Sequence, residues 1–206
     1  MPDSAERRRE ELVSVFREAR DCRRCALSGS RTQVVFGAGN ADADLMFVGE
    51  APGAEEDRQG LPFVGRSGAL LTQMLEEAGL SREEVFIANT LKCRPPANRD
   101  PTPAEIETCR PWLFEQIRLI EPKVVATLGN FATKLLSGDP TGITRVRGVA
   151  RPRRLGERQV WLYPLFHPAA ALRATGTADL LRQDIAALPE LLARGAPAAA
   201  GPEGEG

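Results

Sequence analysis

The chain has 206 residues, 42% of them hydrophobic and 27% charged, with a formal net charge of −1. That is the profile of one globular domain with room for a sizeable core. No apolar run approaches the roughly 20 residues of a membrane span, and the charged start MPDSAERRREEL lacks the apolar stretch of a secretion signal, so a cytoplasmic protein with no membrane partner is expected.

In chain order, Ser4 is placed to cap a first helix whose Leu12, Val15, Phe16 and Ala19 share one face. A turn holding Cys22 and Cys25 follows. Four strands are expected, at Leu45–Gly49, Val85–Leu91, Lys123–Gly129 and Gln159–Phe166. Between the first two, Ser67 opens a helix with Leu70, Leu71, Met74, Leu75 and Ala78 on one face, and Gly79 ends it. Thr102-Pro103-Ala104-Glu105 has the form of a capping box with proline at the first helical position. Its helix should run towards Ile120 with a kink at Pro111. Asn130 caps a shorter helix, and Thr177 opens the last one, through Leu180, Leu181, Ile185 and Leu188. Strands alternating with helices imply an α/β fold. The expected architecture is a three-layer α/β/α sandwich around a central, mostly parallel four-stranded sheet. It occupies residues 1–194, with a low-complexity, disordered tail at 195–206.

The most informative stretch is VGEAPGAEEDRQGLPFVG, Val48 to Gly65. An apolar strand delivers a Gly/Pro loop with one carboxylate, Glu50, at its tip. Ligands of open α/β sheets bind beyond the carboxyl ends of the strands, and glycines there admit a close backbone approach. Glu50 is placed to orient a water or stabilise a cation, and Phe63 to supply a flat apolar wall. Asn89, at the end of the second strand, offers a donor and an acceptor that match an amide or nucleobase edge. His167, the only histidine, leaves the fourth strand in the same sense. Three polar groups on one rim form a candidate catalytic constellation, with His167 as donor to a developing anion. Ala169 to Leu172 then make a small apolar run backed by Arg173, suited to close approach to DNA or to wedging into a base stack.

Cys22 and Cys25 form C-x₂-C, while Cys93 and Cys109 lie far downstream. Cytosolic disulfides are rare, and four thiolates suit a tetrahedral zinc ion or an iron–sulfur cluster. Spacing alone leaves both open. The arginines at 145, 147, 151, 153, 154 and 158 read either as a solvated hairpin or as phosphate contacts.

Taken together, GEAPG at 49–53, PFVG at 62–65, NTLKCRPP at 89–96, HPAAAL at 167–172 and the four cysteines resemble the family 4 uracil-DNA glycosylases, the iron–sulfur type of bacteria and archaea. The resemblance spans roughly Cys22 to Leu188. It implies a monomeric hydrolase that flips uracil out of single- or double-stranded DNA and cleaves its N-glycosidic bond, leaving an abasic site for base excision repair. It also implies a structural [4Fe–4S] cluster on Cys22, Cys25, Cys93 and Cys109. Phe63 would stack on the flipped uracil, and Asn89 would read its amide edge. The backbone of Gly49, Ala51 and Gly53 would line the pocket, and Glu56 would help to shape it and exclude thymine. His167 would stabilise the departing uracil anion, with Glu50 supporting the sugar cation or positioning water. Ala170, Leu172 and Arg173 would contact DNA where the base has left.

The chain departs from better-known uracil glycosylases at Ala51, where they carry an Asp before the loop proline. No carboxylate acts from that position here, which shifts the expected role of Glu50 from positioning water towards electrostatic stabilisation. A related subgroup captures DNA covalently through a loop histidine; Arg94 to Thr108 holds none, so turnover is expected. Two other readings stand beside this one: a non-catalytic, cluster-stapled DNA-binding protein, and a zinc-stapled α/β enzyme acting on a free nucleoside or nucleotide.

Overall fold

The computed structural model describes residues 4–198. In chain order its elements are α1 (Ser4–Arg20), β1 (Ala38–Gly39), β2 (Leu45–Gly49), α2 (Ala54–Gln59), α3 (Arg66–Glu77), β3 (Phe86–Asn89), α4 (Pro103–Ile120), β4 (Val124–Leu128), α5 (Asn130–Ser137), α6 (Ile143–Val146), β5 (Arg151–Leu155), β6 (Arg158–Leu165), α7 (Pro168–Ala171), α8 (Thr175–Ala186) and α9 (Leu188–Ala193).

The four expected strands are β2, β3, β4 and β6, and they lie parallel in the order β3-β2-β4-β6. Their inner members are covered on both faces, so they read as unbroken apolar runs. Leu45 and Phe47 pack with Leu71, Met74 and Leu75 of α3 and with Leu181 and Ile185 of α8. Met46 and Val48 turn the other way, towards Leu113 and Ile117 of α4 and Ala132 and Leu136 of α5. The expected three-layer α/β sandwich is what these two cores build.

The sheet has six strands, however, and not four. β1 adds antiparallel outside β3, and β5 adds antiparallel outside β6. β1 is only Ala-Gly, and β5 is RPRRL with Arg151 to Arg154 exposed. Neither carries a hydrophobic pattern. Proline and arginine on the outer strand discourage pairing with another chain.

Several helix boundaries also differ. The capping box forms as expected: Glu105 N donates to Thr102 Oγ1 at 3.3 Å, and Thr102 N donates to Glu105 Oε2 at 2.9 Å. α4 runs from Pro103 to Ile120 as one helix with Pro111 inside it. Gly65 precedes α3 in place of Ser67, and Gly129 precedes α5 in place of Asn130. The last helix begins at Thr175 and divides at Ala187. α1 already includes Ser4, so the expected cap there is not the residue before the helix. α2 is a short polar helix inside the segment read as loop, with only Asp57 buried. Of the tail expected to be disordered at 195–206, residues 199–206 lie outside the described residues. Among the described residues no helix is long and apolar enough to cross a membrane.

β2 lies between β3 and β4, so the crossover from β2 to β3 and the next, from β3 to β4, run in opposite directions across the sheet. That reversal of strand order opens a crevice over the carboxyl ends of β2 and β4.

Candidate active site

Gly49 ends β2 at this crevice, and two candidate residues converge on it. A Cβ at Gly49 would overlap Asn89 Oδ1 and come within 2.9 Å of Phe63 Cζ. Glycine at this position therefore lets the Asn89 amide and the Phe63 ring approach one backbone together. Parallel pairing continues past the strands: Thr90 N donates to Gly49 O at 2.9 Å and Leu91 N to Glu50 O at 3.0 Å. Asn89 is 2% exposed.

Glu50 lines a cleft of about 430 Å³ with Ala51, Pro52, Gly53, Pro95, Asn98, Arg99 and His167. Burial, and then the charge of Asp100, raise the Glu50 carboxyl above its ordinary value. The strand-end logic thus brings Glu50 and His167 to one cleft, while Asn89 is held against Gly49 and is not among the residues lining that cleft.

Phe63 sits in the left-handed backbone region at φ +50°, a strained conformation for a bulky residue. The peptides around it are held. Arg82 Nη2 donates to Pro62 O at 2.7 Å. Val64 N and Gly65 N both donate to Glu56 Oε1, at 3.2 and 3.3 Å. A Cβ at Gly68 would overlap the Phe63 carbonyl. Glu56 acts from the first turn of α2 and binds the loop that carries Phe63; it is not among the residues lining the cleft.

His167 caps α7. Its Nδ1 accepts from Ala169 N at 3.1 Å, so the ring proton belongs on Nε2. Burial pulls its pKa down to about 4, with the charge of Glu56 opposing. At neutral pH the imidazole is uncharged and carries one donor. Its Cβ packs 3.1 Å from where a Cβ of Gly129 would stand, at the start of α5. Beyond it, Ala170, Leu172 and Arg173 are exposed on and just after α7, with Leu172 39% exposed.

The four cysteines line one small cavity between the turn after α1, the loop after β3 and the first turns of α4. They are free thiols, with Cys93 and Cys109 buried. Cys22 Sγ accepts from Arg24 Nε at 3.5 Å, Cys93 Sγ from Arg31 Nη1 at 3.2 Å, and Cys109 Sγ from Lys92 N at 3.3 Å. Burial pushes the Cys93 thiol up to about 11, with Arg31 opposing, and raises Cys109 against the charge of Lys92. Among the described residues no three His, Cys, Asp or Glu groups stand close enough together to hold a single ion.

Sequence reasoning missed the third wall of the cleft. Pro95, Asn98 and Arg99 reach it from the loop after β3. Ala97 and Asn98 adopt left-handed conformations there, at φ +53° and +55°. Arg99 is clamped by Glu105 at 2.9 and 2.6 Å, which with burial opposing holds the Glu105 carboxyl down at about 2. The only available signal was that this loop joins Cys93 to the capping box.

Four of the six arginines of the run fall into two groups. Arg147 pairs with Asp184 and Arg158 with Glu121. Arg151 and Arg153 instead face a separate cleft with Thr133, Ser137 and Asp139.

Comparison with known proteins places the chain among relatives of one kind. The family model of the Uracil DNA glycosylase superfamily matches residues 36–189. The chain is 44% identical over 194 residues to the Type-4 uracil-DNA glycosylase of Sulfurisphaera tokodaii, covering 92% of this chain and 85% of that protein. It is 42% identical to the Type-4 uracil-DNA glycosylase of Archaeoglobus fulgidus, over 91% of this chain and 96% of that one. For the Type-4 uracil-DNA glycosylase of Thermotoga maritima the identity is 46%, over 80% of this chain and 85% of that one.

Proposed function

The chain belongs to the uracil DNA glycosylase superfamily, and we propose that it releases uracil from DNA by hydrolysing the N-glycosidic bond. The observation that carries the reading is the neutral His167, fixed as an Nε2 donor and set in one cleft with Glu50.

A uracil flipped into the crevice would lie on the Phe63 ring and present its amide edge to Asn89. Cleavage breaks the bond between C1′ and the base nitrogen, and the bonding pair leaves with the base. His167 Nε2–H donates to the uracil anion where charge develops. A preorganised donor of this kind contributes about 3–4 kcal/mol in comparable oxyanion sites. Glu50 faces the oxocarbenium-like sugar. Water adds to C1′, and the proton it releases balances the uracil anion. Because position 51 is alanine, Glu50 is the carboxylate this loop offers to the sugar. Leu172, exposed just after α7 with Arg173, would enter the duplex behind the flipped base.

The same reading assigns a structural [4Fe–4S] cluster to Cys22, Cys25, Cys93 and Cys109. What supports it is the convergence of four free thiols on one cavity and the N–H donors aimed at three of the sulfurs. When bound, such a group supplies folding free energy, here by tying the turn after α1 to the loop after β3 and to α4. We read residues 1–194 as the catalytic domain of a cytoplasmic monomer that acts on single- or double-stranded DNA. The test is base release from a uracil-containing oligonucleotide compared with free deoxyuridine. Release from the oligonucleotide alone supports the reading, and comparable release from the nucleoside defeats it.

A further inference from the structure

Lys92 is 2% exposed, in the middle of the fold. Its amino group donates to neutral oxygens, the main-chain carbonyl of Asn89 at 2.8 Å and Gln116 Oε1 at 2.6 Å. Burying an amino group is costly, and methionine would fill much the same space without that cost. Its two hydrogen bonds show what it holds in place.

It holds one peptide plane. The peptide after Asn89 is fixed at both ends: Thr90 N donates to Gly49 O at 2.9 Å, and the Asn89 carbonyl accepts from Lys92. Fixing that plane fixes the backbone of Asn89, and with it the direction of a side chain whose Oδ1 lies against Gly49. Lys92 is itself fixed. Its N–H donates to Cys109 Sγ at 3.3 Å, and its carbonyl accepts from Val35 N at 2.8 Å. Gln116, which holds the Lys92 amino group from α4, is anchored in turn by donating Nε2 to Phe36 O at 2.8 Å.

We propose that Lys92 is a positioning residue for base recognition: it aims Asn89 through the Asn89 carbonyl and takes its own place from Cys109, joining the cysteine site and the base-reading site into one unit. The inference rests on the reading of Asn89 as the residue that recognises uracil. It gives the cysteine cavity a second consequence besides stability. A displacement of Cys109 would reach the pocket through one residue, without unfolding anything between.

The test compares the full-length wild type with Lys92→Met, Lys92→Arg, Asn89→Ala and the double variant Lys92→Met/Asn89→Ala. Readouts are kcat, KM, inhibition by free uracil, visible absorbance per protein and thermal midpoint. If the wild type releases no uracil from DNA, the proposed function falls and this inference falls with it. If it does, Lys92→Met is expected to keep its absorbance and midpoint while its inhibition constant for uracil rises about tenfold, the scale of a buried carbonyl left without its donor. Lys92→Arg should recover part of that loss. The double variant should bind uracil little worse than Asn89→Ala alone, since the two residues would act in series. Lys92→Met protein that loses absorbance and midpoint, while its folded fraction binds uracil as the wild type does, overturns the proposal. So do fully additive losses in the double variant. If Lys92→Met does not fold, Gln116→Met removes the other anchor of the Lys92 amino group. A raised uracil inhibition constant is expected there too, and wild-type inhibition at an unchanged midpoint overturns the proposal.

Discussion

The Phe63 ring and the His167 imidazole lie 5.7 Å apart, centroid to centroid, with their planes 33° from each other. One comes from a strained loop between two helices, the other from the end of β6. Their meeting sets an apolar wall beside a hydrogen-bond donor, the combination needed to hold a flat base and receive its charge.

His167→Ala is expected to lower kcat by about 10²–10³-fold, as removal of a single oxyanion donor does, while leaving the midpoint near that of the wild type. Single-turnover cleavage at a normal rate would remove His167 from the mechanism. Its titration gives a second check. The folded-state pKa is pulled down to about 4 from an ordinary 6.5, so the unfolded chain binds the proton more readily. The contribution of this residue to stability is present above about 6.5 and is lost as pH falls towards 4. Unfolding measured across that window should show a shallower acid loss in the alanine variant, and equal slopes would contradict the assignment.

Gly49→Ala places a methyl where Asn89 Oδ1 and Phe63 Cζ now stand. Kinetics should show a fall in kcat/KM of at least about tenfold, the scale of a pocket displaced by about an ångström. Wild-type activity in this variant would mean that neither neighbour matters as placed.

The boundary between what the sequence shows and what it hides is physical. The inner strands are legible because both their faces are buried, and Glu50, Asn89 and His167 are legible because each follows such a strand. The outer strand β5 is not, since Arg151 to Arg154 are exposed and carry no alternation. Nor is the wall made by Pro95, Asn98 and Arg99, because Ala97 and Asn98 take up left-handed geometry that usually marks glycine. C-x₂-C announces half of the cysteine site. That Cys93 and Cys109 share its cavity, and that Lys92 is buried beside them, depends on tertiary packing of α4 that no local pattern encodes.

Cys93→Ala and Cys109→Ala should abolish visible absorption near roughly 400 nm, expected for thiolate-bound iron–sulfur, and lower the thermal midpoint by several degrees. The same protein examined by metal analysis should contain iron, not zinc. Colourless, zinc-containing wild type would replace the cluster with a single ion.

Arg151 and Arg153 face a cleft beside α5, whereas Arg147 and Arg158 are engaged by Asp184 and Glu121. If Arg151 and Arg153 contact phosphates, Arg151→Gln/Arg153→Gln should flatten the plot of log affinity against log salt by about one unit per lost contact. Cleavage of a very short oligonucleotide should be unchanged. An unaltered slope would return the hairpin to a solvated edge.

The most direct measurement is abasic-site formation by the purified chain on a uracil-containing single strand, with free deoxyuridine alongside. The account predicts abasic sites in the strand at every turnover and no base from the nucleoside. A folded protein that leaves the uracil in the strand, or that frees base from deoxyuridine equally well, would contradict it.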